Sequence, residues 1–204
     1  MNKGFQEKAK KEFEAFFNIA WDARHKFCLY TILYEQSEDR IKLLNESASE
    51  FFGVLQEMWH EHILLDICRL TDPCEGRNLT IDYFICRYKH EFSCEEETQV
   101  KEIMNLIESF RNRNKKPRNK ILTHIDKETV LSNKPLGGLT AAEIREGKQM
   151  CEMIEQFYDN LEKIINIISS KIYGNKPEDY VKPLDPTGNA AEELIFLLKK
   201  IHKE

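Results

Sequence analysis

The stretch Phe13-Glu14-Ala15-Phe16-Phe17-Asn18-Ile19-Ala20-Trp21-Asp22-Ala23-Arg24-His25-Lys26-Phe27-Cys28-Leu29-Tyr30-Thr31 decides the fold. Phe13, Phe16, Phe17, Ala20, Trp21, Phe27, Cys28 and Thr31 recur at three- and four-residue intervals. Side chains so spaced line one side of an α-helix, so the segment reads as one long amphipathic helix with a wide apolar stripe.

The same period continues outward from it. Ser47-x-x-Glu50 has the capping-box pattern and predicts a second helix through Phe51, Leu55, Met58, Trp59, Leu65 and Cys68, stopped by Asp72-Pro73. Apolar residues surround much of that helix, which predicts a central position. A shorter helix is expected after Asn78-Leu79-Thr80, and another from Ser93-x-x-Glu96 with Val100, Ile103, Met104, Ile107 and Phe110 on one side. Lys116 precedes a proline and is biased away from helical dihedrals, whereas Pro117 suits the first position of a new helix, which places Arg118 and Asn119 in a first helical turn.

Thr140-x-x-Glu143 caps the longest expected helix, in which Ile144, Cys151, Ile154, Phe157, Leu161, Ile164, Ile165 and Ile168 form the buried stripe, ending near Gly174. A last helix is expected from Asn189 to His202, with Leu194, Leu197, Leu198 and Ile201. The expected organisation is a helical domain over 1–174, a Pro-rich linker over 175–188 and a C-terminal helix over 189–204, in an all-α bundle of long helices.

Composition narrows the function classes. A chain of 204 residues, 41% hydrophobic and 32% charged with 8 Gly and 6 Pro, can close a core of its own. No apolar run is long enough to span a bilayer, and Met1 to Lys8 lacks a hydrophobic signal core, so a cytoplasmic protein with no membrane partner is expected. Cys28, Cys68, Cys74, Cys86, Cys94 and Cys151 are scattered without a C-x-x-C pair and read as reduced, mostly buried thiols. His60 and His62, two apart on a helix, face different ways and do not form a zinc pair, so neither metal nor cofactor is expected. Arg69 and Asp72 are spaced to pair on one helix, and Trp21 and Trp59 lie on apolar stripes and read as core.

The net charge of −5 argues against a protein that coats nucleic acid through its overall field. Yet Arg111-Asn112-Arg113-Asn114-Lys115-Lys116-Pro117-Arg118-Asn119-Lys120 carries six positive and no negative side chains, a basic island on an acidic chain. It ends in Arg118-Asn119-x-x-x-x-His124, a string that chance would place in roughly two such chains per hundred.

In this setting the motif resembles that of the HEPN superfamily, helical-bundle proteins whose ribonuclease members carry R-x(4–6)-H, usually with Asn after the Arg. Pro117 to Lys127 is similar to the abortive-infection, AbiU-like branch, and Trp59 to Pro73 with Asn78-Leu79-Thr80 resembles the helix and turn that precede the motif there. The resemblance implies a HEPN-like up-and-down bundle and a metal-independent endoribonuclease of the toxin or phage-defence kind. It further implies RNA as substrate, a homodimer with a composite site, and an antitoxin protein as a possible partner. Asp126 stands where toxins controlled by nucleotidyltransferase antitoxins carry Tyr, which puts control by adenylylation in doubt.

Chemistry assigns the motif residues. Histidine side chains ordinarily change charge near neutrality, so His124 suits proton transfer at the ribose 2′-hydroxyl and the leaving oxygen. Arg118 suits a bidentate contact to phosphate oxygens, and Asn119 could bind phosphate or ribose or orient His124. Arg111, Arg113, Lys115, Lys116 and Lys120 are the expected RNA-binding cations. On a regular helix Arg118 and His124 lie about 120° apart, so one chain does not converge them and a second copy would. The rival expectation is a noncatalytic HEPN-like module that binds a nucleotide, RNA or a partner protein.

Overall fold

The computed structural model describes residues 3–74, 78–117, 141–174 and 188–202, with side chains for 6–74, 78–112, 149–174 and 188–202. Among the described residues there are six α-helices and no strand: α1 Lys3–Tyr34, α2 Glu38–Thr71, α3 Ile81–Tyr88, α4 Cys94–Pro117, α5 Ala141–Tyr173 and α6 Asn189–Ile201. This is the all-α bundle that the apolar spacing predicts, with the up-and-down course that the resemblance implies. None of these helices is long and apolar enough to cross a membrane.

α5 occupies the centre. Tyr158, Leu161, Ile164, Ile165 and Ile168 are fully buried, and the helix packs on α1, α3 and α4. α1 and α4 run antiparallel to it, as long-range pairs show. Arg24 donates to Asp159 (2.8 Å) and Glu162 (3.1 Å), while Tyr173 Oη lies 3.2 Å from Glu14. On the other side Lys171 bonds Glu96 at 2.7 Å, and the Phe110 and Phe157 rings stack at 5.8 Å. α1 contributes Phe13, Phe16, Ala20, Ala23, Phe27 and Tyr30 to the same core. α2 folds back along α1, with Tyr34 Oη donating to the Phe52 carbonyl at 2.9 Å.

The ends of the helices follow local chemistry. At α4 the capping box is complete: Glu96 N donates to Ser93 Oγ (3.2 Å) and Ser93 N donates to Glu96 Oε2 (2.7 Å). Thr80 caps α3. Gly174, at φ +89, takes the left-handed position that closes α5, its N–H returning to the Ser170 carbonyl. Gly188 opens α6 where the Ile32 side chain occupies the space a Cβ would need. The Arg40 guanidinium reaches the Ile32 carbonyl (2.9 Å) and both oxygens of Glu192 (3.0 Å), fastening α6 to α1 and α2. On α6 the side chains that enter the core are Ala191 and Ile195, whereas Leu197 and Ile201 face out.

Several expectations need correction. α2 starts at Glu38, capped by Ser37 and led by Glu38 and Asp39, not near Ser47. The Ser47 hydroxyl donates to the Leu43 carbonyl, and Ala48 (φ −165, ψ 75) kinks the helix there. α2 is also not central throughout, because Phe51, Val54 and Met58 are exposed. α4 continues through Lys116 to Pro117, since a pre-proline residue is disfavoured in a helix rather than barred from one. All six cysteines are free thiols, yet only Cys68 is buried, with Cys86 and Cys94 on outer surfaces. Trp21 and Trp59 pack against the core edge, where a ring that large keeps one side in water. The Pro-rich stretch 175–187 lies outside the described residues.

Two stability outcomes follow. Lys171, hydrogen-bonded to Glu96, and the Ser93 amide hold the Glu96 carboxyl below its ordinary value. Its contribution is therefore present at neutral pH and lost as pH falls through that lowered value, so wild type and Glu96→Gln should differ in melting temperature at pH 7 and converge in acid. Tyr158 Oη is buried with no hydrogen-bond partner among the described residues, so Tyr158→Phe should leave thermal stability unchanged or raise it, as calorimetry would show.

Candidate functional site

The bundle end where α4 stops is defined by four helices. α4 runs antiparallel to α5, so Pro117 lies toward the end of α5 that begins at Ala141. The C-terminus of α1 belongs to the same end, because α1 is also antiparallel to α5. There Tyr34 meets Trp59 of α2 edge-on at 6.3 Å, and Tyr30 lies parallel to His60 at 6.5 Å. α4 thus carries Arg111, and the main chain of Arg113, Lys115 and Lys116, to an aromatic-lined end of the bundle.

Of the expected RNA-binding cations, Arg111 is placed in full. Its guanidinium is half-buried and its Nη2 lies 3.9 Å from Oδ1 of Asp72, the residue that ends α2. Arg113, Lys115 and Lys116 fall in the last turns of α4, on its main chain. Arg118, Asn119, Lys120 and His124 lie outside the described residues, and with them the expected first helical turn of the motif. Arg69 takes Asp66 rather than the expected Asp72, one turn back instead of one turn on, at 3.4 Å.

A second cluster escaped the sequence reading. Asp66 is 4% exposed and binds Lys26 of α1 at 2.6 Å through Oδ2, while Oδ1 faces Arg69. These three line a cleft of about 350 Å³ together with Ile19, Asp22, Leu70 and Leu79. One carboxylate thereby fixes two cations whose tips stay in water, the arrangement by which a buried charge is kept satisfied. The available signal was Asp66 itself, an acid among Ile63, Leu64, Ile67 and Leu70 on the inward side of α2.

Burial pushes the Cys151 thiol up to about 12, with Glu35 and Glu155 adding to it, and burial also raises Cys86. Among the described residues no group of three or more His, Cys, Asp or Glu side chains could hold a metal ion.

Among protein families, the HEPN_AbiU2 model, described as AbiU2, matches residues 6–194. No curated protein and no solved structure matches the chain.

If the island contacts phosphate, neutralising Arg113, Lys115 and Lys116 should each flatten the log–log salt dependence of single-stranded RNA binding by about 0.7. Arg111→Gln should have a smaller effect, because Arg111 already has Asp72 beside it. Fluorescence anisotropy at several salt concentrations reads both, and an unaltered slope for all four changes would make the island a solvated surface.

Proposed function

Because the chain belongs to the HEPN_AbiU2 family, we propose that it is a metal-independent endoribonuclease of the toxin or phage-defence kind, working in the cytoplasm on RNA. The observation that carries this reading is Arg118-Asn119-x-x-x-x-His124 at the end of a six-cation island in a chain of that family.

The chemistry asked of these residues is limited. Attack of a ribose 2′-hydroxyl on the adjacent phosphorus needs a base for the hydroxyl proton and an acid for the departing 5′-oxygen, and it builds negative charge on the nonbridging oxygens. A neutral His124 accepts the first proton. A protonated His124 from a second chain donates to the leaving oxygen. Arg118 contacts the phosphate in the ground state and more strongly as charge develops, because its planar fork matches two oxygens at once. Asn119 binds phosphate or ribose, or orients His124. Arg111, Arg113, Lys115, Lys116 and Lys120 hold the flanking backbone. The bond from phosphorus to the 5′-oxygen breaks as that from the 2′-oxygen forms, so the product end is a 2′,3′-cyclic phosphate.

The composite arrangement requires a homodimer with Arg118 of both chains near the two-fold axis. An antitoxin protein that covers the basic island would silence it by excluding RNA.

The test is incubation of purified protein with end-labelled RNA in EDTA. Wild type should cut and leave a cyclic phosphate. His124→Ala should cut at least ~10²-fold more slowly, within the 10²–10⁴ range for losing a general acid or base, with RNA affinity little changed. Arg118→Ala should weaken both binding and cleavage. RNA that is bound but never cut by wild type favours the noncatalytic module instead.

A further inference from the structure

Beyond the kink at Ala48, α2 runs on to Thr71 and turns an apolar stripe outward. Phe51 is 62% exposed, Val54 49% and Met58 50%. At about 100° per residue these three fall within about 60° of one another, with Leu65 between them and Leu55 and His62 alongside. Leu55 and Leu65 are half-buried and His62 is exposed. Phe51, Leu55, Met58, His62 and Leu65 are alternately four and three residues apart, the spacing by which one helix seats another. Glu50, Glu57 and Glu61, all exposed, follow one flank of this stripe within about 40°. The other side of the helix carries Phe52, Ile63 and Leu70 into the core, so the outward residues contribute nothing to that packing.

We propose that this face docks an amphipathic helix of a different polypeptide, one that presents apolar residues at heptad spacing and lysine or arginine along the edge that meets Glu50, Glu57 and Glu61. The inference goes beyond the ribonuclease reading and does not rest on it.

Area sets the size of the occupant. Three large apolar side chains half in water leave roughly 300 Å² exposed, the extent of the largest apolar patch on an ordinary monomer, which is often functional. That is well short of the ~800 Å² each half of a stable interface between folded proteins contributes, so one helix laid along the stripe fits and a second copy does not. Charge sets the sign of the occupant. On α2 no lysine or arginine occurs between Lys42 and Arg69, so the helix supplies no counter-charge of its own to the acidic flank. Laid antiparallel on itself, the face would set Glu50 of each copy against Glu57 of the other, a repulsion that a basic edge turns into attraction. An anionic lipid surface is repelled by the same row of carboxylates.

The probe is a fluorescent synthetic helix of about three heptads, with leucine at the seam positions and lysine at the flanking ones, titrated with the full chain. A second probe carries glutamate in place of each lysine. Wild type should bind the lysine probe at least about tenfold more tightly than the glutamate probe, and added salt should weaken that binding. Phe51→Glu with Met58→Glu should lose the lysine probe. Glu50→Lys, Glu57→Lys and Glu61→Lys together should exchange the preference, so a folding defect in the first variant leaves the second to decide. Glu97→Lys, Glu102→Lys and Glu108→Lys on α4, also exposed, change the net charge equally and should bind as wild type does. Helicity and melting temperature are recorded for every sample. No binding by wild type, equal binding of both probes, binding that survives both sets of changes on α2, or binding lost in the α4 control overturns the proposal. So does a wild-type dimer in sedimentation equilibrium that Phe51→Glu with Met58→Glu dissolves, because the face then belongs to a second copy.

Discussion

Everything else in the fold is arranged so that α5 can be dry. Ile154, Phe157, Tyr158, Leu161, Ile164, Ile165, Ile168 and Ile172 occupy two adjacent rows of one helix, too wide a stripe for any single neighbour to cover. α1 takes one flank with Phe13, Phe16, Ala20, Ala23 and Phe27, and α4 takes the other with Ile103, Ile107 and Phe110. At ~1.5–3 kcal/mol for each large apolar side chain taken out of water, those contacts outweigh the surface ion pairs around them many times over. Arg24, Lys171 and Glu96 then have a geometric duty: they fix how far each helix slides along α5.

The elements that were readable from the sequence are those whose signals are local. Ser93 and Glu96 are three residues apart and need only each other, so the start of α4 could be named to the residue. The stripe of α5 was readable for the same reason, since period alone identifies a helix with one buried side. Ser47-x-x-Glu50 shows the limit. The hydroxyl of Ser47 had a competing acceptor in the Leu43 carbonyl, one turn back in a helix already under way, and what the pattern marked was a kink. Ser37-Glu38-Asp39 held the true start, with an acidic first turn suited to the helix dipole.

What could not be read is what depends on partners remote along the chain. Asp66 meets Lys26 across 40 residues, and Arg111 meets Asp72 across two helices and the turns between them. No local spacing announces either. α2 misled for a related reason: apolar residues on all sides show that a helix wants neighbours and not how many it has. Of the proposed site, the sequence supplied the motif and its basic approach, and the structure added the aromatic-lined bundle end toward which α4 runs.

The placement of the central helix late in the chain sets an order of events during synthesis. Arg24 and Glu162 are separated by 138 residues, and Glu14 and Tyr173 by 159, so the surfaces of α1 that α5 will cover are made long before it. The first two helices can pair as they leave the ribosome, because their contacts span a short loop. The α5-facing side of α1 must wait. A nascent chain therefore carries Phe27, whose ring meets Tyr158 of α5, uncovered through most of its translation, a period in which chaperone binding competes with aggregation. If translation stops before α5 begins at Ala141, the bundle has no axis, and a truncated chain would be recognised by quality control as unfolded.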